Sequence, residues 1–187
     1  MGRILVHEFT TLDGVIDAPS WAREYPFDPA MGQAIGGLMG TCTALLLGRT
    51  TFEMFAPAWS ARTAADDPGA PFMNDSPKYV VSSTLQDPAW QNSTVLGPYS
   101  AEAIGDLKAR VDGDLYVSGS GTLVRAMLAD RLVDRLHLFV YPLAVGAGSR
   151  LFDAPAGVQR LNLEGSEAFS SGVLHLTYSP APGTPTS

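Results

Sequence analysis

Three short stretches carry glycine, hydroxyl or basic residues of the types suited to holding phosphate. The first is Leu47-Gly48-Arg49-Thr50-Thr51, which joins an apolar run to a helical pattern. Gly48 permits close backbone approach, a helix start offers free N–H groups, and Arg49 adds a fixed positive charge. An ordinary strand-to-helix turn with a surface arginine accounts for the same residues equally well. The second is Ser118-Gly119-Ser120-Gly121-Thr122, where two glycines between a strand and a helix can form a backbone cradle for phosphate. It is an incomplete G-x-G-x-x-G, because Val124 stands at the third glycine position. It also falls too late in the chain to open a Rossmann domain. The third, Val81-Ser82-Ser83-Thr84, brings hydroxyls to a strand end and on its own is loop chemistry.

Other reactive residue types read more plainly. Cys42 is the one cysteine, so no internal disulfide or cysteine-based zinc site is available. It precedes an apolar run and reads as a buried, inert thiol. His7, His137 and His175 each sit inside a strand pattern without metal-like spacing. They read as exposed or hydrogen-bonded strand histidines, and no metal is expected. Trp21, Trp59 and Trp90 fall in predicted loops. Trp21 and Trp59 either wall a pocket for a flat heteroaromatic or pin their loops to the core. Glu53, four residues after Arg49, either pairs with it or meets a ligand. Asp66-Asp67 reads as a solvated loop tip.

Elements must position these residues. The 187 residues amount to about one domain. A single domain is expected over residues 1–179, with a disordered Pro/Gly/Thr-rich tail at 180–187. Hydrophobic residues make up 45% and charged residues 17%, a globular balance. Lys plus Arg is 12 against 19 for Asp plus Glu, so the net charge is -7. That argues against nucleic-acid binding by bulk charge and leaves room for a small anionic ligand. No stretch reaches the ~18 apolar residues of a membrane span, and the N-terminus lacks an apolar signal-type run, so a cytoplasmic protein is expected.

Strand patterns run over residues 4–12, 44–47, 78–82, 93–96, 115–118 and 136–142, and a closing hairpin over 158–169 and 173–178. Asp28-Pro29 starts a helix with Met31, Ile35, Leu38 and Met39 on one face. Thr50 or Thr51 caps a short helix carrying Phe52 and Phe55. Ser100 caps another with Ile104, Leu107 and Val111, and a last helix carries Leu123, Met127 and Leu128. Residues 56–77 read as a long surface excursion of the kind that often serves as a lid. The alternation predicts a mainly parallel sheet with helices on both faces and an antiparallel edge. Ligands of such sheets sit outside the carboxyl ends of the strands, where all three phosphate-type stretches fall.

Five motifs stand in order along the chain. They are Thr11-Leu12-Asp13-Gly14; Leu45-Leu46-Leu47-Gly48-Arg49-Thr50-Thr51-Phe52-Glu53; Lys78-Tyr79-Val80-Val81-Ser82-Ser83-Thr84-Leu85; Leu115-Tyr116-Val117-Ser118-Gly119-Ser120-Gly121-Thr122-Leu123; and Asp134-Arg135-Leu136 through Tyr141-Pro142 to Gly146-Ala147-Gly148-Ser149-Arg150-Leu151-Phe152. With these, the chain from Ile4 to Tyr178 resembles the dihydrofolate-reductase-like superfamily. Within it, the chain looks most like the reductase domain at the C-terminus of bifunctional riboflavin-pathway deaminase-reductases, in stand-alone form. The resemblance implies a three-layer α/β fold, its mostly parallel central sheet flanked by helices and closed by an antiparallel C-terminal hairpin.

The resemblance also implies NADPH. Gly48, Arg49, Thr50 and Thr51 would meet its phosphates, and Ser82 and Ser83 would lie by the adenosine 2′-phosphate region. Gly119, Ser120, Gly121, Thr122 and Leu123 would hold the pyrophosphate at a helix start. The family often has two adjacent glycines, joined in dihydrofolate reductases by a cis peptide, where this chain has Gly119-Ser120. Asp13 and Gly14 fall where the family places nicotinamide and substrate. Asp13 is the candidate catalytic acid, unless Asp13-Gly14 is a turn alone. Trp21 and Arg150 complete the expected substrate side. The implied activity is NADPH-dependent reduction of a small heterocycle, of the 5-amino-6-(5-phosphoribosylamino)uracil reductase type, in a homodimer. The rivals are an NADP-binding protein without turnover and a dihydrofolate reductase. The helix body Met31 to Met39 holds no carboxylate for a pterin, which weighs against the latter. The zinc-deaminase signature is absent, so no deamination is expected.

Overall fold

A computed structural model describes residues 2–17, 19–26, 28–152 and 158–181. The strands are β1 (Ile4–Thr11), β2 (Cys42–Gly48), β3 (Lys78–Val81), β4 (Ser93–Gly97), β5 (Asp114–Ser118), β6 (Arg135–Tyr141), β7 (Leu161–Ala168) and β8 (Leu174–Pro180). The helices are α1 (Pro29–Gly40), α2 (Arg49–Trp59), α3 (Ala70–Asp75), α4 (Ala101–Arg110) and α5 (Gly121–Ala129). A 3₁₀ segment spans Pro19–Glu24. The strands form one eight-stranded sheet in the order β4-β3-β2-β5-β1-β6-β8-β7. Pairing is parallel from β4 to β6, and β8 runs antiparallel to β6 and β7. This is the α/β class and closing hairpin that the alternation predicts.

Successive strand side chains point to opposite faces. Ile4, Val6, Leu46, Leu115 and Val117 pack with Ile104 and Leu107 of α4 and Leu123, Val124 and Met127 of α5. Leu5, Leu45, Leu47, Val80 and Tyr116 pack with Leu38 of α1, Phe52 of α2 and Met73 of α3. Leu45-Leu46-Leu47 is an unbroken apolar run because a helical layer lies on each side of β2. Cys42 joins this core, and burial pushes its thiol up to about 11, so it is inert.

Local signals account for several boundaries. Asp28 caps α1 by accepting the Ala30 N–H at 2.9 Å, with Pro29 at the first helical position. Ser100 caps α4. The start of α2 differs from expectation: Gly48 is its N-cap and no side chain caps it. β2 passes directly into the helix, so Thr50 and Thr51 both fall in its first turn.

Residues 56–77 are more structured than a free surface excursion. α2 continues through Pro57 to Trp59, and α3 occupies Ala70–Asp75. Asn74 donates to the Trp59 and Arg62 carbonyls, both at 3.0 Å, and accepts the Trp90 indole N–H at 2.8 Å. Lys78 is wholly buried and donates to the carbonyls of Asn74, Ser76 and Gln91 at 2.7, 2.9 and 3.1 Å. Its ammonium lies 4.6 Å from the centre of the Trp90 ring. Trp90 thus pins its loop to the core. At the other end, Pro180 still belongs to β8, and the Ala181 N–H donates to the Arg160 carbonyl. The rest of the expected tail, 182–187, lies outside the described residues. Among the described residues no helix is long and apolar enough to cross a membrane.

Candidate functional site

The sheet order puts β3, β2 and β5 side by side, so the loops after them converge at one edge. Those loops are the three phosphate-type stretches. Ser120 Oγ accepts the Gly48 N–H at 2.8 Å and donates to Thr51 Oγ1 at 2.7 Å. The starts of α2 and α5, which lie on opposite faces of the sheet, are thereby tied together. Arg49 Nη1 donates to Thr84 Oγ1 at 2.9 Å, which joins the β3 loop to the same cluster. Arg49 Nε also stands 3.8 Å from Glu53 Oε1, the local pairing. The side chains of Arg49, Thr50, Ser83, Thr84 and Thr122 are exposed around this edge.

Three of the expected cofactor residues present less than their type suggests. Ser82 is buried and its Oγ accepts the Thr84 and Leu85 N–H groups at 3.2 and 2.9 Å. Its role is to shape the loop that carries Ser83 and Thr84. Thr51 is buried against Ser120, and Leu123 packs in the core, leaving only its backbone for a ligand. Gly121 is closely packed: a Cβ there would lie 2.5 Å from Ile16 Cδ1, the tip of a side chain that would have to turn aside. Gly119 and Ser120 both adopt positive φ, +66° and +70°, and no described peptide bond is cis.

The donor set fits a polyphosphate. Two helix N-termini contribute unpaired N–H groups and positive dipole ends, Arg49 contributes charge, and four exposed hydroxyls ring the edge. Among the described residues, no group of three or more His, Cys, Asp or Glu is placed to hold a metal ion.

The expected substrate residues behave differently. The Asp13 carboxylate accepts Thr11 Oγ1–H at 2.5 Å and the N–H groups of Gly146 and Val145 at 2.8 and 3.2 Å. These bonds, that of Thr11 foremost, hold it down to about 2. Arg150 Nη2 stands 3.6 Å from the same carboxylate, and Arg150 Nε donates to the Asp13 carbonyl at 2.8 Å. Asp13 and Arg150, both expected to meet substrate, are therefore engaged with one another. Held low by these bonds, Asp13 is poorly placed to give up a proton as the expected catalytic acid, and the Gly14 N–H donating to the Thr11 carbonyl at 2.9 Å matches the turn reading of Asp13-Gly14. Trp21 packs edge-on against Tyr141 with 5.0 Å between ring centres, in an aromatic layer with Phe9, Tyr25 and Phe139.

The sequence reading missed what the middle of β1 holds. His7 and His137 are buried, each with an unpartnered Nε2, not exposed or fully hydrogen-bonded. His7 Nδ1 meets Tyr116 Oη at 2.8 Å and Ser118 Oγ at 3.3 Å. Burial, helped by His137 and His175, pushes the ring down to about 3. Glu8, on the opposite face, is buried with an unpartnered Oε1, and burial raises it to about 8. The cause lies in the sheet order: β1 pairs with β5 on one side and β6 on the other and is covered on both faces, so both polar neighbours are buried.

Comparison with known proteins follows the same lines. No curated protein matches the chain. Among solved structures, a protein of Shewanella sp. PV-4 provisionally assigned to riboflavin biosynthesis superposes with a TM-score of 0.79 at 23% identity, covering 97% of this chain and 100% of that one. A diaminohydroxyphosphoribosylaminopyrimidine deaminase/5-amino-6-(5-phosphoribosylamino)uracil reductase of Thermotoga maritima gives 0.68 at 18% identity, over 96% of this chain and 57% of that one. A dihydrofolate reductase of Enterococcus faecalis complexed with NADP(H) gives 0.64 at 15% identity, over 97% and 98%. These likenesses establish the dihydrofolate-reductase-like fold. The family described as RibD C-terminal domain matches residues 3–175, nearly the whole chain. The five ordered motifs, the sheet order and this match agree: the chain belongs to the RibD C-terminal domain family.

Proposed function

We propose that the protein is an NADPH-dependent reductase that transfers hydride to a small heterocyclic substrate, of the 5-amino-6-(5-phosphoribosylamino)uracil reductase type. The observation that carries this reading is the joining of the three phosphate-type stretches at one sheet edge through Ser120, Thr51 and Arg49. Gly48 to Thr51 and Gly119 to Leu123 would hold the cofactor's phosphates by the N–H groups of the first turns of α2 and α5 and by the helix dipoles, the Gly48 and Gly119 N–H groups being already bound to Ser120 Oγ and the His7 carbonyl. Arg49, Ser83 and Thr84 would face the adenosine 2′-phosphate, with Ser82 shaping their loop. When bound, NADPH supplies the hydride. Asp13 and Arg150 tie the loop after β1 to residues 143–150 and so fix that wall of the site. The aromatic layer around Trp21 and Tyr141 excludes water beside it. The same reading includes a homodimer in the cytoplasm.

The test is titration with NADPH and, separately, NADH, followed by nicotinamide fluorescence. NADPH should be preferred, and Arg49→Ala should abolish the preference, because it removes the fixed charge that tells the two apart. Binding of neither nucleotide would sink the reading.

A second reading, an NADP-binding protein without turnover, draws on the engagement of Asp13 as an acceptor. Steady-state NADPH oxidation across candidate substrates separates the two. Dihydrofolate reduction is disfavoured by Asp28, the acid nearest α1. Its carboxylate already accepts Ala30 N–H, Ser170 N–H and Ser170 O–H, at 2.9, 2.9 and 2.7 Å.

A further inference from the structure

Ser120 is in an unusual place for a serine. It is the N-cap of α5, yet its side chain does not cap that helix. Its backbone is left-handed, at φ +70° and ψ 53°, a region that side-chain-bearing residues avoid. Glycine would occupy the position without strain. A serine held there against its preference needs a compensating interaction elsewhere.

The compensation is the reach of Oγ to the other helix. It accepts the N–H of Gly48, the N-cap of α2, and donates to the buried Thr51 hydroxyl in the first turn of α2. These partners lie 72 and 69 residues away in sequence. The Gly48 side is tight, since a Cβ there would stand 3.0 Å from Ser120 Oγ, and at Gly119 one would be in contact with Thr51 Oγ1 at 3.4 Å. Few side chains other than serine combine this reach with this space.

We propose that Ser120 is a positioning residue that sets the separation of the α2 and α5 N-termini, and so favours a ligand that spans both, a dinucleotide, over a mononucleotide that uses one. This rests on the cofactor reading above. The two helices sit on opposite faces of the sheet, so the carboxyl ends of β2 and β5 and this one hydroxyl are what hold their starts in register.

The experiment compares the full-length protein with Ser120→Gly and Ser120→Ala. Each is titrated with NADP and with adenosine 2′-monophosphate, and each is melted thermally. Glycine removes both the oxygen and the backbone strain; alanine removes only the oxygen. NADP binding should weaken about tenfold in both variants, the equivalent of one lost net hydrogen bond. Binding of adenosine 2′-monophosphate should not change. The melts should differ, with alanine the less stable. A general structural role would instead make binding loss follow stability and would weaken both ligands alike; that pattern overturns the proposal. Unchanged or tighter NADP binding in Ser120→Gly also overturns it, because the freed Gly48 N–H would then serve the ligand better than the link does. If the unsubstituted protein binds no NADP, the cofactor reading fails first and this inference with it.

Discussion

Replacing Glu8 with glutamine should stabilise the protein by an amount that depends on pH. Glu8 is 3% exposed, its Oε1 has no partner, and burial raises its carboxyl from 4.5 to about 8, opposed only by Arg125. Between those values the folded chain keeps a proton that the unfolded chain releases, so stability falls as pH rises. Each pH unit in that window costs about 1.4 kcal/mol. At pH 7 the accumulated cost is about 3 kcal/mol, a large share of the roughly 5–15 kcal/mol typical of a domain. Glutamine matches the neutral acid in shape and has no charge to suppress, so the variant recovers that amount. Urea denaturation of both proteins at pH 4, 5, 6, 7 and 8 measures the difference. It should be near zero at pH 4 and grow steadily to pH 8. A difference independent of pH, or a variant less stable at pH 7, would refute the reasoning. Either would mean that Glu8 is ionised in the fold and paired with Arg125.

His7, the neighbouring residue, acts in the opposite sense. Its ring is pushed down from 6.5 to about 3, so it withholds stability as pH falls through that window. His7→Gln should cost about 1 kcal/mol at pH 7 through the lost Tyr116 contact, yet flatten the decline between pH 6.5 and 4 in the same denaturation series. Lys78→Met should destabilise by about 3 kcal/mol, because three carbonyls lose their one buried donor; the thermal midpoint reports it, and a change near zero would mean that water replaces the ammonium. Asp13→Asn should speed hydrogen exchange at Val145 and Gly146 about tenfold, since a neutral amide holds those N–H groups less strongly. Unchanged exchange there would mean that the loop is held by Arg150 and by Asp17, which accepts the Ser149 N–H at 3.0 Å, instead.

Much of the fold was legible along the chain. Strand and helix patterns, the Asp28 and Ser100 caps and the closing hairpin come from interactions within a turn or two. Such signals are local and survive without tertiary context. The three phosphate-type stretches were visible for the same reason. The length of α2 was not, because Pro57 and the polar stretch after it read as loop, and the Asn74, Lys78 and Trp90 contacts that anchor the region span up to 17 residues.

Residue types and spacing alone determined the α/β alternation and the candidate cofactor stretches, and five ordered motifs carried the resemblance to the family. Only the tertiary structure decided what individual side chains do there. The sheet order set β2 beside β5 and brought Gly48 to Ser120, turning a serine in a glycine-like position into a link between two helices. Loops 137 residues apart met and joined Arg150 to Asp13. Layers on both faces closed over β1 and left His7 and Glu8 buried, which pushes the imidazole pKa down and the carboxyl pKa up. A side chain's chemistry depends on the partners and the dielectric around it, and those are contributed by residues distant in sequence.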